Sequence, residues 1–225
     1  MATTLDGGRQ QGIRPAGPES PPAPAAPPAV ATPPAQVTGW GNSGPLALAA
    51  FAVPTFMLSA INVGWVNEAV TPVIFAVALT SGGLVQLIAG IIQLRTGNTI
   101  AGVLFSMYGA LWLSLFAYAQ FFASEVPLAE RGHALGLLLY AFGAFTLWIF
   151  VASFRTNAVV VTALAFLAAT LFVLGAGKYT ANSSLIHAGG YLGFVAAAEA
   201  AYLSCAELCQ AAYNRWVLPI WPLAR

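Results

Sequence analysis

Between Pro45 and Ala198 the only charged side chains are Glu68, Arg95, Glu125, Glu130, Arg131, Arg155 and Lys178. They are not scattered. Each falls in a short break between apolar stretches long enough to cross a bilayer. A water-soluble domain needs a charged surface, usually about 25% of its residues, and here charged residues make up 7%. Hydrocarbon about 30 Å thick takes about 20 apolar residues of helix, and lipid offers no partner to an open backbone group. The pattern therefore specifies an all-α membrane protein with six transmembrane helices, near 45–64, 71–94, 99–122, 132–153, 158–175 and 184–209.

The flanks divide the chain into a Pro/Ala-rich tail over 1–40, a six-helix transmembrane domain over 41–216 and a short C-terminal tail over 217–225. The first tail carries too little apolar surface to offset its ordering entropy, so it is expected to be disordered. An even number of spans puts both termini on one side. Arg9, Arg14, Arg95, Arg155, Arg215 and Arg225 then share that side, with only Arg131 and Lys178 opposite. Basic residues collect on the cytoplasmic face, so both termini are expected there. A net charge of +1 argues against a nucleic-acid partner. Cys205 and Cys209, four apart in the last span, are expected as small buried apolar side chains. Neither a metal site nor a cofactor motif is present in the sequence.

The odd-numbered spans share a rhythm. Asn42, Asn98 and Asn157 each stand at the start of one, and Phe51, Tyr108 and Leu167 follow nine or ten positions later. Helix capping by Asn and the abundance of large apolar residues in membrane spans account for this without any function. A functional reading also fits. Ten residues of helix rise about 15 Å, close to the bilayer midplane. Three converging helix N-termini and three Asn amides would offer N–H groups to an anion in an inner vestibule. The three bulky side chains would close an apolar neck above it.

The segment Asn42-Ser-Gly-Pro-Leu-Ala-Leu48, followed by Phe51, resembles the signature Asn-Pro-Ala-Pro-Leu-Gly-Leu of the acetate uptake transporter family, the YaaH-like succinate–acetate permeases. Asn62-Val-Gly64 is similar to its continuation. The block Gly82-Gly83, Gln86, Ala89-Gly90, Gly97-Asn98-Thr99, Ser106-Met-Tyr108-Gly109 and Trp112 is closer still, as are Phe145-Thr146-Leu147 and Val217-Leu-Pro-Ile220. The resemblance covers about 42–220. It implies six helices per protomer, a separate pathway in each, a homo-hexamer, and movement of acetate and succinate with protons or by a channel-like route. It also implies that Phe51, Tyr108 and Leu167 form the constriction. Ser43, Gly44 and Ala47 depart from the signature, and Ser43 in place of Pro is expected to loosen the start of the first helix.

Two further residues are candidates. Gln86 is placed either to line the pathway or to bond between helices. Glu199, ionisable and near mid-membrane, is placed either to carry a coupled proton or to pair with a polar group across a helix or protomer contact. The sequence thus points to a plasma-membrane permease for acetate and related short carboxylates, succinate among them, with protons as co-substrate and no enzymatic site. The alternatives are a passive pore for neutral solutes such as urea or short amides, and a scaffold that holds a partner through its tail.

Overall fold

A computed structural model describes residues 39–223. The expected disordered tail lies almost wholly outside these residues. Six helices are long and apolar enough to cross a membrane: α1 (Gly44–Asn62), α2 (Glu68–Arg95), α3 (Thr99–Phe122), α4 (Leu128–Ser153), α5 (Ala158–Tyr179) and α6 (Ser183–Tyr213). Their starts follow local chemistry. The side-chain oxygens of Asn98, Asn157 and Asn182 accept from the backbone N–H three residues on, closing the first turns of α3, α5 and α6. Tight turns end α1 and α2, and Gly64 and Gly97 supply the positive φ these need, 76° and 86°.

The helices form a closed ring in chain order. Each packs on its sequence neighbours, and α6 returns to α1. The α3–α4 seam is the thinnest in the ring. The α2–α3 seam is tight: a Cβ added at Gly90 would stand 2.5 Å from the Ser106 backbone nitrogen. Small residues let helix backbones approach where lipid provides no hydrophobic drive.

Pro54 lies inside α1, and its missing N–H leaves the carbonyl of Ala50 without the usual helical donor. Ser81 Oγ supplies a replacement from α2 at 3.2 Å. Ser81 belongs to a wider helical stretch, Ala78–Val85, of the π type that often marks functional sites. The break in α1 is therefore tied to α2 one residue before Phe51.

Three features differ from expectation. The last helix runs to Tyr213, well past 209. Cys205 is exposed and Cys209 half-buried, so these thiols sit on the outside of the bundle and not within it. Lipid is as apolar as a protein core, so an apolar residue has no need to face inward. The segment after α6 also folds back. Tyr202 donates to the Pro219 carbonyl at 2.8 Å, Ala158 N–H donates to the Trp221 carbonyl at 2.9 Å, and Leu223 N–H donates to Thr156 at 3.0 Å. The C-terminal segment thus straps the start of α5.

Candidate functional site

A cavity of about 230 Å³ opens inside the ring on the side where α1, α3 and α5 begin. Asn42, Asn98 and Asn157 all line it, as do Gln86, Gln93, Glu199 and Glu207. Phe51, Tyr108 and Leu167, the side chains expected to form the neck, are its deepest lining residues on α1, α3 and α5. The three Asn residues and the three large residues therefore surround one space.

The neck is built by packing. Phe51 and Tyr108 meet edge to face, with ring centroids 5.5 Å apart and an interplanar angle of 81°. Leu167 joins them in a single cluster with Ala196 and Ala200 of α6. From the helix starts at Gly44, Thr99 and Ala158, these residues lie about 10–14 Å along each helix, close to half a bilayer. Tyr108 is 1% exposed, and its hydroxyl lies 2.5 Å from Thr146 Oγ1 on α4. Thr146 donates its own proton to the Phe142 carbonyl at 2.6 Å. With that proton committed, Tyr108 must be the donor to Thr146. The Tyr108 O–H is thus spent inside the wall, and the neck presents no free donor from it.

At the mouth a chain of bonds joins three helices. Asn42 Oδ1 accepts from Gly44 N–H at 2.9 Å and from Gln93 Nε2 at 2.8 Å. Asn42 Nδ2 donates to Glu207 at 3.1 Å. Ser43 Oγ donates to the Ala89 carbonyl at 2.8 Å and accepts from Gln93 at 3.2 Å. Ser43 is buried and doubly bonded, so it fastens the start of α1 to α2, against the loosening expected of a Pro replacement. Asn98 and Asn157 cap α3 and α5, whereas the N-cap of α1 is Ser43 and Asn42, one residue before it, accepts from Gly44 N–H; all three amide oxygens face helix N–H groups, which leaves the NH₂ end turned the other way. For Asn42 that end is already engaged by Glu207.

Gln86 is 1% exposed and its Oε1 has no partner. Glu199 also has a buried Oε2 without a partner. It lines the cavity on one side and a groove between α5 and α6 on the other. Sequence reasoning gave no site role to Thr146, Ser81 or Glu207. The available signals were the Tyr108–Thr146 resemblance block and the mid-helix Pro54, whose orphaned carbonyl calls for a donor. Among the described residues no group of His, Cys, Asp or Glu is arranged to hold a metal.

A ring of six membrane-spanning helices around a necked, polar-mouthed cavity defines a multi-pass membrane protein of the small-solute transporter and channel class. The chain belongs to the GPR1/FUN34/yaaH family, whose model matches residues 25–225. It is 31% identical over 183 residues to the succinate-acetate/proton symporter SatP of Escherichia coli K12, across 81% of this chain and 96% of that protein. It is 30% identical over 196 residues to acetate permease A of Emericella nidulans, across 80% and 66% of the two chains. Among solved structures, the bacterial acetate channel SatP matches with a TM-score of 0.75 at 30% identity, covering 80% of this chain and 99% of that one.

Proposed function

We propose that this protein carries acetate and related short carboxylates, succinate among them, across the plasma membrane in a proton-linked manner, through one neck per protomer of a homo-hexamer, with both termini cytoplasmic. The supporting observation is the neck itself. Phe51, Tyr108 and Leu167 lie at the deep end of a polar-mouthed cavity, with side chains that offer a carboxylate neither charge nor a donor. A bare carboxylate pays heavily to enter such a place, whereas its protonated form does not. Charge cost at the neck is the physical reason for a proton link.

Glu199 is suited to deliver that proton. It lies between Ala196 and Ala200, both packed against the neck, and its Oε2 has no partner. The proton leaves the Glu199 carboxyl and binds a substrate carboxylate oxygen. The Glu199 carboxylate then regains a proton from the solution. Gln86, with its unpartnered oxygen, would accept from the acid so formed. Asn98 and Asn157 would offer their NH₂ groups lower in the vestibule, where that of Asn42 is engaged by Glu207.

A second reading is favoured by a specific feature. The cavity lining carries two carboxyl groups, Glu199 and Glu207, and no Lys or Arg. That balance suits a passive pore for small neutral solutes such as urea or short amides. Reconstituted protein given acetate, succinate and urea side by side separates the two. Acetate uptake above empty liposomes, accelerated by a proton gradient directed inward, supports proton-linked carboxylate transport. Urea permeation without acetate uptake overturns it.

A further inference from the structure

The mouth of the vestibule already holds a carboxylate. Glu207, from the inner part of α6, accepts from Asn42 Nδ2 at 3.1 Å. The Asn42 amide cannot be turned round, because its other end receives Gly44 N–H, and a backbone N–H is always a donor. Nδ2 is therefore the end that meets Glu207. The same carboxylate lies directly on the first turn of α1: a Cβ on Gly44 would stand 2.6 Å from Glu207 Oε2. Gly44 is one of the departures from the family signature, which has Ala there. Its missing side chain lets the carboxylate come this close to the positive end of α1. Deeper in the cavity, buried Gln86 keeps an unpartnered Oε1, so the protein alone does not satisfy the polar groups of this space.

We propose that Glu207 is a tethered carboxylate that occupies the anion position at the vestibule mouth, competes there with the transported carboxylate, and so sets the concentration at which transport half-saturates. The proposal rests on the carboxylate-transport reading. Glu207 is a specificity-determining residue in this scheme and takes no part in passing the neck. Its competition depends on its charge. The other titratable groups lining the cavity are Glu199, on the same helix and about 12 Å deeper, and Tyr108 at the neck. The lining from α1, α2 and α5 carries no titratable or charged group, and α3 adds only Tyr108.

Equilibrium exchange of labelled acetate in proteoliposomes, with equal acetate on both sides, tests this without regard to insertion direction. Glu207→Gln removes the charge. Gly44→Ala keeps the charge but pushes the carboxylate off α1, and Glu207→Asp shortens its reach. All three should lower the half-saturating acetate concentration about fivefold or more, the size expected for losing one like charge at a half-buried mouth. Maximal exchange should change little. The ratio of wild-type to Glu207→Gln half-saturation should shrink toward one as pH falls and Glu207 is neutralised. A substitution that only disturbed packing would not move that ratio. Unchanged half-saturation in all three variants overturns the proposal, and so does a Glu207→Gln protein that folds but no longer exchanges acetate. Failure of the wild-type protein to exchange acetate at all would instead remove the transport reading beneath it.

Discussion

Thr146→Val should destabilise this protein more than its small change in shape suggests. Tyr108 is 1% exposed, and its hydroxyl is paired with Thr146 Oγ1 at 2.5 Å. Valine keeps the branched shape and deletes the acceptor. A buried hydroxyl left unpaired costs about 1–3 kcal/mol, whereas removing both partners together is close to neutral. Tyr108→Phe combined with Thr146→Val should therefore be more stable than Thr146→Val alone. The resulting coupling is about 1–2 kcal/mol, well above the additivity error of about 0.3–0.5 kcal/mol. The bond also crosses the α3–α4 seam, the thinnest in the ring, so little other packing compensates. Thermal unfolding in detergent reads the effect at about 2–4 °C per kcal/mol for a chain of this size. Acetate flux in the same variants reports whether a released Tyr108 alters the neck. Additive single and double variants would refute the claim that this bond holds Tyr108 in place.

Three further outcomes follow from named contacts. Ser43→Pro removes two hydrogen bonds. Gln93 keeps its bond to Asn42, and the 43 backbone has φ −85°, near the range proline accepts. Stability should fall by no more than about 1 kcal/mol in chemical denaturation, and a larger loss would show that Ser43 holds more than α1 to α2. Glu199→Gln should abolish acceleration of acetate uptake by a proton gradient in proteoliposomes while leaving thermal stability near wild type; retained acceleration removes Glu199 from the proton step. Asn157→Ala loses the cap on α5 and should cost about 1 kcal/mol. Hydrogen exchange should show the first turn of α5 opening, since Val160 N–H loses its acceptor and only the bond from Ala158 N–H to the Trp221 carbonyl remains to hold this end; unchanged protection there would mean the C-terminal strap alone fixes it.

Span number and most boundaries were legible because charge is costly in lipid, so Arg95, Arg155 and their like can only punctuate. Which face of each helix looks inward was not legible. Cys205 and Ala206 are adjacent in an apolar run, yet the first is exposed and the second fully buried, because lipid and bundle interior reward the same side chains. The spacing of Asn42, Asn98 and Asn157 to Phe51, Tyr108 and Leu167 was readable, since one helical rise places all three pairs at matching depths. The partners were not. Thr146, Gln93, Ser81 and Glu207 reach the site from other helices, and their contacts depend on how the ring closes. The C-terminal strap was missed for the same reason: its bonds are to Tyr202 and the start of α5, remote from it in sequence.

Whether solute passes between Phe51, Tyr108 and Leu167 is tested most directly by Leu167→Ala. Leu167 shares a cluster with Phe51 and Tyr108, so truncating it enlarges the neck from one wall. The flux of butyrate relative to acetate, measured in proteoliposomes with matched amounts of folded protein, should rise severalfold over wild type, as a wider neck admits the longer chain. An unchanged ratio in a folded, active variant would mean that the solute takes another route.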